Sequence, residues 1–152
     1  MFAIIRIRGL KHVRADIQAA LATLNLDRKN HCVIIQEKGM EGILTKVKDY
    51  VAYGNVKKET LTKLLQKRGH IEGDKALTLD YLKEKKISSF DALANDMSEK
   101  KTTLSKIGIK PVFRLNAPRK GFGRKGTKKP VTLKGPLGFH PEGMDALLAS
   151  MM

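Results

Sequence analysis

The chain has 152 residues, 41% of them hydrophobic, and carries 30 lysines and arginines against 15 aspartates and glutamates, a formal net charge of +15. That length supplies one core, or a compact domain with an arm, and the charge exceeds what solubility needs, which selects nucleic acid or an anionic membrane as partner. A lone cysteine, Cys32, excludes an intrachain disulfide framework and fits a reducing compartment, and no apolar run approaches bilayer-spanning length.

Phe2 to Arg8 is β-branched and alternates, predicting a central strand with Ala3, Ile5 and Ile7 on one face and Phe2, Ile4, Arg6 and Arg8 on the other. It is too short for a signal-peptide h-region, and its arginines follow rather than precede the apolar residues. Ile17, Leu21 and Leu24 recur at helical spacing behind Asp16, an acidic residue suited to a helix start. His31 to Gln36 reads as a second strand, Met40, Ile43, Leu44 and Val47 as a short helix, and Tyr50 to Tyr53 as a third strand closed by Gly54. A strand-helix-strand-helix-strand unit thus fills residues 1–56. Its helices are expected on one face of a small sheet, the other face being left for a partner.

Glu59 to Arg68 predicts a third helix, with Leu61, Leu64 and Leu65 on one side and Gly69 at the C-cap. Lys67, Arg68 and His70 gather at its end, where cations either complement the helix dipole or meet an anionic partner. Leu77, Leu79, Leu82, then Ile87, Phe90, Leu93 and Met97, then Leu104 and Ile107 predict short helices, two of them beginning near Asp80 and Asp91. The stretch 57–110 reads as a helical extension or accessory lobe. The last unit, 111–152, opens on the strand-like Val112 to Leu115 and closes on a helix carrying Met144, Leu147, Leu148 and Met151.

Between those anchors lies a basic limb, RLNAPRKGFGRKGTKKPVTLKGPLG from Arg114 to Gly138, and no carboxylate occurs from Lys100 to Pro141. Residues 98–152 carry twelve cations against three anions, whereas residues 61–97 carry seven against six. The limb has too few apolar residues to fold on burial alone. A polyanion supplies the missing counter-charge, and displacing its condensed cations supplies free energy. A membrane is the weaker partner, because the limb has no amphipathic helix.

Gly121 to Gly126 matches G-x-G-x-x-G, but no strand feeds it and Pro130 follows Thr127, Lys128 and Lys129, so a dinucleotide site is rejected. His12, His31, His70 and His140 show no metal-ligand spacing. His31 and Cys32 point to opposite faces if both lie on a strand. Neither catalysis, nor a cofactor, nor a metal, nor a small-molecule substrate is expected. Phe122, deep in the limb, either stacks on a base or packs on its own protein.

Ile5-Arg6-Ile7-Arg8-Gly9, Asn30-His31-Cys32, Val51-Ala52-Tyr53-Gly54, Pro118-Arg119-Lys120-Gly121 and Gly138 to Gly143 occur in an order that resembles the large-subunit ribosomal protein family numbered thirty in bacteria and archaea and seven in eukaryotes. The first 56 residues look like the compact bacterial core and the remainder like the longer archaeal form. The long basic amino-terminal extension expected of a eukaryotic relative is missing. The resemblance implies an α+β fold: a three-stranded, mainly antiparallel sheet with helices on one face, a β-α-β-α-β core related to the ferredoxin-like arrangement, with a helical extension and a basic extended loop. It implies a structural constituent of the cytoplasmic large (50S) ribosomal subunit, binding rRNA, with the 5S rRNA region and neighbouring ribosomal proteins as partners. Lys120 stands where relatives often have glycine. The RNA contacts are assigned to Arg6, Arg8, Lys67, Arg68, Arg114, Arg119, Lys120, Phe122, Arg124, Lys125, Lys128, Lys129, Lys134 and His140. The rival reading is a basic DNA-binding or chromatin-associated protein.

Overall fold

A computed structural model describes residues 1–35, 39–85, 87–99, 102–122 and 126–152. Strands β1 (Phe2–Arg6), β2 (His31–Ile35) and β3 (Val51–Asn55) alternate with helices α1 (Ala15–Thr23) and α2 (Glu41–Val47). Then follow α3 (Lys58–Arg68), α4 (Leu79–Glu84), α5 (Phe90–Ser98), α6 (Leu104–Ile107), β4 (Val112–Arg114), β5 (Gly138–His140) and α7 (Met144–Met151). The strands form one sheet in the order β4-β2-β1-β3-β5. β1 runs antiparallel to both β2 and β3, with Ile4 opposite Val33 on one side and Tyr53 on the other.

The expected three-stranded sheet therefore has five strands, still mainly antiparallel. β4 adds antiparallel to β2, and β5 adds parallel to β3. Each added strand is three residues long, too short to show alternation in sequence, so its pairing is set by what lies beside it rather than by its own pattern.

β1 is buried on both faces, as its alternation divides. Ile4, Val33 and Val51 meet Leu21, Leu24 and Leu26 under α1 and α2. Ala3, Ile5, Cys32, Ala52 and Phe113 meet Leu61, Leu64, Leu65, Leu93, Leu148 and Met151 on the other side. Helices α1 and α2 share one face as expected, but the opposite face is covered by α3, α5 and α7 instead of standing open for a partner. The helices of 57–110 share one apolar cluster with the sheet, so this segment is a layer of the fold and not a separate lobe. Burial of a leucine such as Leu61, Leu64 or Leu65, each fully enclosed, contributes about 1.5–3 kcal/mol, and three per helix face outweigh any surface ion pair.

Helix ends follow local chemistry. The caps are Ser89, whose hydroxyl accepts from the Ala92 N–H at 3.1 Å, and Thr78, which accepts from Tyr81 at 3.5 Å. Asp80 and Asp91 sit in the first turns, where a carboxylate complements the dipole. Gly69 is the C-cap of α3, but with extended backbone, φ −66°. A Cβ there would lie 2.4 Å from the Leu65 carbonyl oxygen, so close approach, not left-handed geometry, requires glycine.

Candidate nucleic-acid interface

The limb between β4 and β5 is held at both ends. At its start the Asn116 N–H donates to the Met151 carbonyl at 3.0 Å and the Arg119 N–H to Ser150 at 2.9 Å, docking it on the last turn of α7. Arg68 reaches the same place from α3, its Nη2 donating to the Met152 carbonyl at 2.9 Å. Arg68 thus brings a cation to where a helix exposes unpaired carbonyls and negative dipole. The chain then turns through Lys120 and Gly121, both with positive φ (70° and 71°). Glycine adopts this conformation freely, whereas Lys120 does so at a steric cost.

The far end is a compact knot, not an extended strand. Val131 donates to Leu137 at 2.8 Å, Leu137 to Lys129 at 3.3 Å, and Gly135 to Pro130 at 3.0 Å, around a single 3-10 turn at Val131–Leu133. Gly135 is required here, because a Cβ would fall 2.0 Å from the Lys129 carbonyl oxygen. Phe122 packs against the larger core cluster, which makes it an anchor of the limb rather than a free stacking ring. Arg124 and Lys125 lie outside the described residues.

Arg119, Lys120, Lys128, Lys129 and Lys134 are exposed. Among the described residues the ion pairs join Arg14 to Asp16, Lys83 to Asp80, and both Lys110 and Arg114 to Asp74, and none involves these five cations. Their counter-charge is not supplied from within the described fold.

The remaining expected contacts divide. Lys67 is exposed at the end of α3. Arg8 is half-buried, its guanidinium 4.6 Å from the centroid of Tyr50 and its Nη1 donating to the Asp49 carbonyl at 3.3 Å. His140 is half-buried and its Nε2 is hydrogen-bonded to the Pro136 carbonyl at 2.8 Å, which ties β5 to the knot. Arg114 leaves β4 exposed, 3.2 Å from Asp74. Hydrogen bonding from Lys110, then the adjacent Arg114, holds the Asp74 carboxyl below its ordinary value.

Arg6 does not belong with these. It is 1% exposed, and its guanidinium donates to four backbone carbonyls: Leu26 at 2.6 Å, Asp27 at 3.2 Å, Arg8 at 3.0 Å and Gly9 at 3.1 Å. Burial pulls its pKa down while Asp27 pushes it up. The side chain clamps two loops together and is enclosed away from any phosphate, so the expectation that it contacts RNA is corrected. Its place on an alternating strand beside Arg8 gave no sign of this, because two of the carbonyls it meets come from the loop 24–30.

That loop carries Arg28 and Lys29, exposed cations that sequence reasoning left out. They sit beside His31 and Arg114 in one cleft. The Arg28-Lys29 dipeptide is visible in the sequence, but Arg114 reaches it only through the β2–β4 pairing, which sets His31 opposite Arg114. Cys32, next along β2, is fully enclosed, and burial pushes its thiol far above the ordinary value, leaving it inert. Among the described residues no group of His, Cys, Asp and Glu could hold a metal, and no helix is long and apolar enough to cross a membrane.

Residues 2–51 match the family model described as ribosomal protein L30p/L7e. Over nearly the whole chain the sequence is similar to proteins named large ribosomal subunit protein uL30. The relative from Nanoarchaeum equitans is 44% identical over 149 residues, covering 97% of this chain and 96% of the relative. That from Methanococcus vannielii is 43% identical with 99% of each chain covered. That from Methanosphaera stadtmanae is 42% identical with both chains fully covered.

Proposed function

The chain belongs to the ribosomal protein L30p/L7e family, and from that premise we propose that it binds large-subunit rRNA chiefly through the basic limb between β4 and β5. Family membership makes it a structural constituent of the large ribosomal subunit and not an enzyme. The observation that carries the RNA assignment is the set of five exposed limb cations, Arg119, Lys120, Lys128, Lys129 and Lys134, that lack an acidic partner among the described residues. The limb is pinned at both ends, so docking it on RNA costs less ordering entropy than docking a free tail. Lys67, Arg68 and Arg8 extend the footprint, and Arg124 and Lys125 belong to it by their place in the sequence. Specificity comes from shape and 2′-hydroxyl contacts, because A-form RNA hides its major groove. The finer assignment, that the contacted region includes that of 5S rRNA, is part of the proposal and is read by footprinting on reconstituted subunits.

Replacing the five limb cations by glutamine tests the reading. The side chains are exposed, so the fold survives. The log–log salt slope of binding to a large-subunit rRNA fragment falls by about 0.7–0.9 for each phosphate that the variant no longer neutralises. An unchanged slope refutes the limb as the main contact. Equal competition by duplex DNA favours the chromatin reading instead.

A further inference from the structure

At the root of the limb, the loop 24–30 and the start of β2 lie beside the edge strand β4. Asp27, Arg28, Lys29, His31, Arg114 and Leu115 line an open cleft of about 410 Å³. The cleft opens to solvent, so a phosphate group can enter it with part of its hydration shell. Three fixed cations, Arg28, Lys29 and Arg114, outnumber one carboxylate, Asp27. Arg114 does pair with Asp74, but Asp74 is shared with Lys110, so that cluster too retains positive charge.

The cleft is built rather than incidental. Arg6 clamps the Leu26 and Asp27 carbonyls from beneath. The Asn30 N–H donates to the Arg6 carbonyl at 2.8 Å and the Leu115 N–H to the Asn30 carbonyl at 3.1 Å. Asn25 and Asn30 take the left-handed conformation (φ 56° and 64°) that the loop needs, a role asparagine fills at lower cost than other non-glycine residues.

We propose that this cleft receives one phosphodiester group of the RNA backbone, held by Arg28, Lys29 and Arg114, as a discrete contact distinct from the five exposed cations, Arg119, Lys120, Lys128, Lys129 and Lys134, further along the limb. It rests on the RNA-binding reading above and adds a second, preorganised site. The arginines offer paired N–H donors to the two non-bridging oxygens, and Lys29 adds a point charge. Asp27 opposes the anion, which keeps free phosphate binding weak and leaves affinity to the rest of the RNA.

The test uses the full chain. Inorganic phosphate is titrated at constant ionic strength while the amide signals of residues 27–31 and 114–115 and the imidazole signal of His31 are followed by NMR. The wild type shows saturable shifts confined to these positions, Arg114→Gln abolishes them, and Asp27→Asn makes them saturate at lower phosphate. In RNA binding, the combined variant Arg28→Gln/Lys29→Gln/Arg114→Gln has a salt slope shallower by about 0.7–0.9, the value for one phosphate, in the wild-type background and in the five-glutamine limb background alike. Absence of saturable shifts with both phosphate and the rRNA fragment overturns the site, even if the limb binds RNA. Saturation by inorganic phosphate with an unchanged RNA slope in the combined variant also overturns it, marking a free-anion site instead. Failure of the limb variant alone leaves these readouts intact, so the two readings fail separately.

Discussion

Replacement of Arg6 by alanine separates a buried clamp from an RNA contact. The side chain is 1% exposed and its four carbonyl partners lie at 2.6–3.2 Å. Truncation leaves the buried Leu26 carbonyl unsatisfied, at about 1–3 kcal/mol, and opens a void beneath the loop 24–30, for which large-to-alanine changes cost about 2–5 kcal/mol. The other three carbonyls are partly buried and recover water, so the sum is smaller than four such penalties. We expect a destabilisation of about 3–5 kcal/mol. For a chain of this size each kcal/mol lowers Tm by about 2–4 °C, so the midpoint of thermal unfolding followed by circular dichroism should fall by roughly 6–20 °C. Arg6→Lys keeps the charge but cannot span two loops with one ammonium, and falls between. In this variant the salt slope of RNA binding stays at the wild-type value. A stability change within about 0.5 kcal/mol, the range for an ordinary surface substitution, together with a slope reduced by the value for one phosphate, would refute the clamp.

Gly54→Ala places a Cβ 2.2 Å from the His140 carbonyl oxygen and 3.2 Å from Met144 Cβ. It should cost about 1–3 kcal/mol and raise hydrogen exchange in β5 and the start of α7 more than in β2; equal protection in all three would contradict the packing. Cys32 should resist iodoacetamide at mildly alkaline pH in the native protein and react in denaturant, whereas rapid native labelling would show that β2 is not enclosed. Burial and then Arg114 hold the His31 pKa below its ordinary value of 6.5. The unfolded chain therefore binds the proton first as pH falls: His31 favours the fold fully above about pH 6.5, and that contribution is lost as pH falls towards the folded value. His31→Gln should flatten the urea-derived stability profile in this window, and an identical slope would remove His31 from the account. Asp74, whose ordinary value is 3.8, acts only at lower pH.

Much of this protein was legible before any tertiary structure. The alternation of Phe2 to Arg8 assigned Ala3 and Ile5 to one face and Ile4 to the other, and both clusters agree. Helices α1, α2, α3 and α7 follow from leucine and methionine spacing, and the family from short motifs in order. Periodicity is local, and it survives whatever the element packs against.

What the sequence did not disclose is what depends on contacts between distant residues. Five strands in place of three, the second face closed by α3, α5 and α7, and the knot at Lys129 to Leu137 come from pairings and packing that no short window encodes. Charge is the sharpest case: Arg6 and Arg8 stand two residues apart on one strand, yet one is sealed under carbonyls of the loop 24–30 and the other lies over Tyr50. Arg28 and Arg114 are far apart along the chain but share a cleft. The count of cations is a property of composition; whether each is satisfied by its own backbone or left for a phosphate depends on which carbonyls and carboxylates the fold brings within about 3 Å.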